Sequence, residues 1–271
     1  MTILVTGGTG LVGVRLLKRL ADAGLACRAL VRGNRALPEG VTPVEGDILD
    51  PASLAAALKG VSAVVHLAAV FRTRDQDLIW RVNREGTSNL IEAAKVHAPA
   101  ARFIMASTSN IYGRHGARPG HEDDAVEPVL AYPASKLAAE QALRASGLNW
   151  SIQRFGFVYG DQDGHIESLP KYMSDGTWHP AQRMSMVHHR DIATAMLLAL
   201  DGALDGHIVN IADDAPPSLY ELFAIAGAQM APSAAALPDP WHLVVDGGRA
   251  RSLGFRPTIA TVHQAAYEGL L

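Results

Sequence analysis

Thr2-Ile3-Leu4-Val5 is a short apolar, β-branched run that breaks directly into Thr6-Gly7-Gly8-Thr9-Gly10-Leu11-Val12-Gly13. Val14 to Ala23 then continues with the periodicity of an amphipathic helix. A strand, a glycine turn and a helix in that order read as a phosphate-binding element. Gly7 permits a tight turn at positive φ, Gly10 lets backbone approach a pyrophosphate, and Gly13 lets the helix lie close to the strand. The helix N-terminus then offers free N–H groups to an anion. Glycine turns of this spacing also join strands to helices with no ligand; the strand before and the helix after make a dinucleotide the better reading. No leader is expected ahead of this first strand.

The rest of the first half alternates in the same way. Gly24 closes the helix and Ala26 to Val31 forms a second strand. At its end, where an acid usually meets the adenosine ribose of NAD, stand Val31, Arg32, Gly33, Asn34 and Arg35. The missing acid and the added guanidinium groups both favour the 2′-phosphate of NADP(H) over NAD, although Arg32 and Arg35 also suit a solvated loop. Val41 to Val44 is a third strand. Asp50 caps the following helix, with Pro51 at its first position. Asp47 has two readings, a turn residue or an acceptor for the adenine amine. Val61 to Leu67 is an apolar strand emptying into Ala68-Ala69-Val70, small residues that let backbone lie against a cofactor. A helix carries Trp80, Val82, Asn83, Leu90, Ile91 and Ala94, and the strand Phe103 to Ala106 ends in Ser107-Thr108-Ser109.

This alternation predicts an α/β fold, a Rossmann-type doubly wound parallel sheet covered on both faces. Right-handed crossovers bring the carboxyl ends of the strands to one edge, where Gly7 to Gly13, Arg32, Asp47, Ala68 and Ser107 to Ser109 gather. The domain expectation is a dinucleotide-binding unit at 1–155, with a return at about 187–212, and a mainly substrate-binding lobe at 156–271.

Composition closes off other classes. Of 271 residues 48% are apolar and 19% charged, with net charge −3. That is ample for a core and gives no basic stripe for nucleic acid. No run is long enough to span a bilayer. Cys27 is the lone cysteine and falls in a buried strand, so it reads as a core residue, and the chain reads as a soluble cytoplasmic protein. Eleven histidines include His188-His189, His115 and His121, but none has the helical spacing with a carboxylate that zinc requires, and no metal is expected.

Tyr132-Pro133-Ala134-Ser135-Lys136 opens a long helix. Tyr132 and Lys136 share one helical face, where an ammonium beside a phenol favours the phenolate and lowers its pKa toward working pH. Such pairs also arise by chance on surfaces. Downstream of a glycine turn and a strand ending in hydroxyls, this one reads as catalytic.

With these residues in place the chain resembles the extended short-chain dehydrogenase/reductases, specifically the NAD-dependent epimerase/dehydratase group. The resemblance runs through Thr6 to Gly13, Gly46-Asp47, His66-Leu67-Ala68-Ala69, Val82-Asn83 with Gly86-Thr87, and Ser107 to Gly113. It continues through Tyr132 with Lys136, Arg154 with Val158-Tyr159-Gly160, and Val187-His188 with Asp191. It implies Thr108 positioning the substrate oxygen with Ser107 and Ser109 beside it, Tyr132 exchanging a proton with that oxygen, and Lys136 binding the nicotinamide ribose. It also implies a cofactor set of Gly7, Thr9, Gly10, Leu11, Val12, Arg32, Arg35, Asp47, Ile48, Leu67, Ala68, Ala69, Asn83, Tyr132, Lys136 and Phe155. A homodimer through the helices bearing Leu90, Ile91, Leu137 and Leu143 follows as well.

The second half departs from relatives that handle nucleotide-diphosphate sugars. Phe157 stands where they carry an asparagine, and Met184 where they carry an arginine, with Arg183 one earlier. Apolar groups there leave a diphosphate poorly paired. Phe71, Phe157, Trp178, Met184 and Met186 are candidate pocket walls, each equally suited to the core of a small lobe. The expected activity is hydride transfer between NADP(H), or NAD, and a carbonyl or alcohol carbon of a small or medium substrate. A nucleotide-sugar epimerase or dehydratase with tightly held NAD is the alternative, and a non-catalytic dinucleotide sensor a third. Residues 160–180 read as loop, Ser218 to Gln229 as a helix with Ser218 and Glu221 at capping-box spacing, and 230–245 as loop.

Overall fold

The computed structural model describes residues 1–173 and 177–271. Strand β1 (Thr2–Thr6) leads through the glycine turn into α1 (Leu11–Asp22), and β2 (Ala26–Val31) and β3 (Val41–Glu45) follow. Asp50 caps a single turn, its side chain accepting from the Ala52 N–H, with Pro51 at the first position, before α2 (Leu54–Leu58). Next come β4 (Ala63–His66), α3 (Gln76–Trp80), a π-helical turn at Arg81–Gly86, α4 (Thr87–His97) and β5 (Arg102–Thr108). The chain continues as α5 (Ala131–Arg144), β6 (Asn149–Phe155), β7 (Phe157–Tyr159), α6 (His165–Met173) and β8 (Met186–His188). It ends with α7 (His189–Leu200), β9 (Ile208–Ile211), α8 (Leu219–Ile225), α9 (Gly248–Ser252) and α10 (Val262–Tyr267).

Seven strands form one sheet in the order β3-β2-β1-β4-β5-β6-β9, and all six pairings are parallel. Alternate side chains of each central strand enter opposite cores. Ile3, Val5 and Val65 pack with Leu16, Leu17, Leu20, Ile192 and Met196 of α1 and α7. Leu4 and Val64 pack with α2, α4 and α5 through Leu54, Leu58, Leu90, Ile91 and Leu143. This two-sided burial is why β1 and β4 read as unbroken apolar runs, and the sheet is the doubly wound Rossmann type. Cys27 is buried in β2, and burial pushes its thiol up to about 11.

Three sequence expectations change here. Leu90, Ile91 and Leu143 are buried in the chain's own core and offer no face to a second subunit. The predicted loop 160–180 contains α6, which buries Ile166 and Leu169 despite Pro170 within it; positions 174–176 of that loop lie outside the described residues. The helix expected to reach Gln229 stops at Ile225, just ahead of Gly227 at φ 71°. Its start keeps the capping box, Ser218 Oγ accepting from the Glu221 N–H while the Glu221 carboxylate accepts from the Ser218 N–H.

A second, two-stranded sheet pairs β7 with β8. Around it Tyr159, Ile166, Leu169, Met184, Met186, Leu219 and Leu222 form a separate core. Phe155-Gly156-Phe157 carries the chain from the large sheet straight into this small one, so the two sheets flank one crevice.

Candidate active site

A cavity of about 450 Å³ opens at the carboxyl edge of the sheet, as the switch-point rule expects. On one side it is lined by Gly7, Gly10 to Gly13, Leu67 and Ala69. Gly7 adopts φ 71°, and a Cβ there would stand 2.6 Å from the Ala68 nitrogen. A Cβ on Gly13 would stand 2.1 Å from the Gly7 carbonyl oxygen. Both positions therefore require glycine, and together they press α1 against the end of β4. Gly10 caps α1 without a side-chain hydrogen bond, and no acid sits in the first turn. The free N–H groups of that turn therefore meet no competing carboxylate, which suits the site to a pyrophosphate.

The opposite wall comes from β5 and α5. Thr108 Oγ1 accepts from the Asn110 N–H at 3.1 Å, and its hydroxyl lies on the same wall as Tyr132, near enough to favour the phenolate. Lys136 lies one turn along α5 and is 2% exposed. Burial pushes its ammonium down from 10.5 to about 8, against the charge of Glu140, which raises it. The sequence argument has Lys136 lowering the Tyr132 pKa. In the structure burial pushes the phenol up to about 12, and the nearby Thr108 hydroxyl offsets this only in part. Desolvation wins because the phenol is packed against Phe71, their ring centroids 5.4 Å apart.

Glu140 extends the same helical face by one more turn and escapes a reading that stops at the pair. It accepts a hydrogen bond from Ser107 Oγ and a fork from Arg154, Nε to Oε1 at 3.1 Å and Nη2 to Oε2 at 2.6 Å. Arg154 Nη1 donates to the Tyr112 hydroxyl at 3.0 Å, which donates to Asn210 Oδ1 at 2.7 Å. Spacing of i, i+4 and i+8 from Tyr132 is the signal that points to Glu140.

Asn83 is fully buried in the π-helical turn and does not line the cavity. Its amide accepts from the Val70 N–H at 2.7 Å and donates to the Val70 carbonyl at 2.9 Å and to Ser135 Oγ at 3.1 Å, tying the end of β4 to α5. His66 supports the same corner between Thr6 and Thr87, and burial holds it neutral, down to about 3.

The remaining predicted positions separate. Ser107, Thr108, Phe71, Phe155 and Phe157 line the cavity with Tyr132 and Lys136, while Thr9, Ala68 and Ser109 do not. Arg32 and Arg35 are exposed beyond β2, and Arg32 Nη1 lies 3.8 Å from Asp47 Oδ2. Asp47 uses Oδ1 to accept from the Leu49 N–H, a turn contact that leaves its other oxygen facing Arg32. Ile48 is buried against Gly86. Trp178 and Met184 are not cavity walls. Met184 is 4% exposed inside the small-lobe core, and Trp178 packs on that core and stacks on His242. Ala106, Arg72, Asn110, Gly156, Val158 and His165 complete the lining; Asn110 and Val158 belong to motifs of the resemblance, and Arg72, Gly156 and His165 were not singled out by the sequence. Among the described residues no three His, Cys, Asp or Glu side chains converge to hold a metal ion, and no helix is long and apolar enough to cross a membrane.

The sequence model of the NAD dependent epimerase/dehydratase family matches residues 3–212. A "Ceramide reductase" of Caulobacter vibrioides is 31% identical over 204 residues, 72% of this chain and 59% of that protein. A "4-hydroxy-2-methyl-3-oxo-4-farnesyl-3,4-dihydroquinoline-1-oxide ketoreductase" of Stigmatella aurantiaca is 29% identical, covering 83% of this chain and 72% of that one. The chain spans little more than half the length of some curated relatives, 59% of the Caulobacter reductase and 53% of a Sinorhizobium fredii protein. Among solved structures, "MoeE5 in complex with UDP-glucuronic acid and NAD" superposes with TM-score 0.81 at 27% identity over 98% of this chain and 97% of that one. A UDP-glucose 4-epimerase of Thermus thermophilus in complex with NAD gives 0.78 at 26% identity over the whole of both chains.

Proposed function

The chain belongs to the NAD dependent epimerase/dehydratase family, and within it we propose that this protein is a nicotinamide-dinucleotide oxidoreductase reducing a carbonyl group of a small or medium substrate. The observation that carries this reading is one cavity that joins a glycine turn and an uncapped helix N-terminus to Thr108 and Tyr132, with Lys136 one turn along α5. A nicotinamide dinucleotide held by the glycine turn, the α1 N-terminus and Lys136 would supply the hydride. Thr108 and Tyr132 orient the substrate oxygen. Tyr132, protonated at neutral pH because burial holds it near 12, gives its proton to that oxygen as the carbon receives the hydride, and the alcohol forms. Lys136, one turn along α5, stabilises the resulting phenolate and would hold the ribose of a bound cofactor. Phe71 and Phe157 give the reacting carbon apolar walls. Replacing Tyr132 with Phe is expected to lower kcat by about two to four orders of magnitude with cofactor binding intact; unchanged turnover of every accepted substrate overturns the assignment of Tyr132.

Residues 1–155 with 187–212 make the cofactor unit in this reading, and the remainder of 156–271 the substrate lobe. Val31 and Arg32 at the end of β2 support NADP(H) over NAD, with Arg32 74% exposed and available to a 2′-phosphate. Several of the solved neighbours hold NAD, the two MoeE5 complexes together with a UDP-sugar, which supports a second reading as a nucleotide-sugar epimerase. NAD copurifying in tight complex decides for the epimerase, and a protein that takes up NADPH in preference to NADH decides for the reductase. We place the enzyme in the cytoplasm as a homodimer through α4 and α5, with Val96 of α4 exposed in that region; a monomeric mass in light scattering rejects the dimer.

A further inference from the structure

The cavity's substrate side carries one guanidinium that the reaction does not use. Arg72 follows directly on Phe71, the ring packed on Tyr132, and its backbone is left-handed at φ 58°. A non-glycine residue pays strain to hold that conformation, so something fixes it there. The guanidinium carbon sits 4.9 Å from the Phe71 ring centroid and 5.3 Å from that of Tyr172 on α6, bridging the large sheet and the small lobe.

His165 holds one edge of the group. Its Nδ1 lies 2.9 Å from the Val158 carbonyl, which only accepts, so Nδ1 carries the proton. Nε2 is then an acceptor, and Arg72 Nη1 donates to it at 3.3 Å. The fork is thus oriented by two aromatic faces and one imidazole. No carboxylate among the described residues comes within ion-pair distance of it, and the cavity lining contains no Asp or Glu. Arg72 is exposed at the mouth of the cavity, whereas the half-buried Arg19 and Arg102 are paired with Asp161 and Asp205. An oriented cation that no carboxylate among the described residues pairs, at the mouth of a cavity walled by Phe71 and Phe157, is arranged to receive an anion from the substrate.

We propose that Arg72 is the specificity-determining anchor for an anionic group, carboxylate or phosphate, carried by the substrate a few bonds from its reacting carbonyl. The inference rests on the reductase reading. The layering Tyr132, Phe71, Arg72 sets the separation, because the anion reaches past one ring thickness from the carbon that Tyr132 serves. Carboxylate and phosphate share the chemistry, two acceptor oxygens matched to a planar fork.

The test compares wild type with Arg72→Met and Arg72→Lys. With NADPH, kcat/KM is measured for 4-oxobutanoate against its methyl ester, and for glyceraldehyde 3-phosphate against glyceraldehyde. Separately, binding of succinate and of inorganic phosphate to the enzyme–NADP⁺ complex is followed by intrinsic fluorescence. Arg72→Met is expected to weaken anionic substrates and anion binding about ten- to hundredfold while neutral partners change less than about twofold. Arg72→Lys retains part of the discrimination. The pair whose charged member responds tells carboxylate from phosphate. If charged and neutral substrates fall together, Arg72 is only a brace between the lobes and the proposal is wrong. It is equally wrong if neither anion binds wild type. Arg72-dependent anion binding without turnover of any aldehyde leaves the anchor standing and removes the reductase reading instead.

Discussion

Replacing Lys136 with Met is expected to make the protein more stable at neutral pH while disabling it. Lys136 is 2% exposed, and its ammonium is pushed from 10.5 down to about 8 by burial that the Glu140 charge only partly offsets. That displacement is worth ~3 kcal/mol of native-state penalty whenever the group is charged in both states. Methionine keeps an unbranched stem of similar length and similar helix propensity, so the packing is retained. Glu140 keeps Arg154, so no carboxylate is orphaned. The sign follows from linkage. Below about pH 8 the lysine is charged folded and unfolded, and the penalty is complete. Between about 8 and 10.5 the native protein has released the proton and the unfolded chain has not, so wild type gains stability as pH rises. The advantage of the variant is therefore up to ~3 kcal/mol at pH 6 to 7 and fades toward pH 10.5, a rise in Tm of up to about 5 °C at neutral pH. Urea denaturation of both proteins from pH 6 to 10 measures it, beside NADPH turnover. A variant less stable than wild type at pH 7, or an advantage that does not shrink on the alkaline side, refutes the reasoning.

Asp213 is expected to act with the opposite slope. Burial first, and the charge of Asp214 second, push its carboxyl from 3.8 up to about 8, so its penalty is absent below about pH 4 and complete above about pH 8. Asp213→Asn should then raise the urea midpoint at pH 9 and change it little at pH 4, and equal shifts at both values reject the argument. Glu140→Gln leaves the Arg154 charge buried without its partner and should cost about 3–5 kcal/mol by chemical denaturation. Arg154→Met alone should cost as much, and the double variant clearly less than the two together; additive losses would show that the pair is not coupled.

What the sequence disclosed was whatever local spacing encodes. The glycine turn placed Gly7 and Gly13 where a Cβ cannot fit, and strand–helix alternation settled a parallel, doubly wound sheet. The spacing of Tyr132 and Lys136 put both on one face of α5 and into one cavity. Direction in three dimensions was not encoded so openly. Trp178 and Met184 are apolar, and apolarity alone does not say whether a side chain faces a crevice or the core beneath it. Leu90, Ile91 and Leu143 fit a helix stripe facing either a partner or the chain's own sheet, and the sheet takes them. Residues 160–180 hid α6 because Pro170 and the nearby glycines mask two buried positions, Ile166 and Leu169. Arg72 was invisible, since nothing in Phe71-Arg72-Thr73 announces a left-handed backbone. The phenol shifted against expectation because a charge argument along one helix omits the solvent that the neighbouring Phe71 displaces.

Lys136 and Glu140 lie one turn apart, both almost fully buried, yet removing one is expected to stabilise and removing the other to destabilise. The difference is in their partners. Glu140 takes three hydrogen bonds from Arg154 and a fourth from Ser107, each from a group as buried as itself. Its desolvation is offset within the protein, and the loss falls on the partners when it goes. Lys136 has the Glu140 charge and little more, so its ammonium is under-compensated by the fold alone. A cation held in that condition at the inner wall of a cavity is a poor structural element and a good one for meeting charge that arrives with ligand or develops in the reaction. The Glu140–Arg154 pair makes it tolerable, holding Lys136 charged near neutral pH from one side while anchoring β5, β6 and α5 on the other. The buried ion pair is thus better understood as setting the protonation of its neighbour than as a source of net stability. The Glu140→Gln variant should accordingly lose activity on the alkaline side first, where Lys136, deprived of that charge, gives up its proton at lower pH.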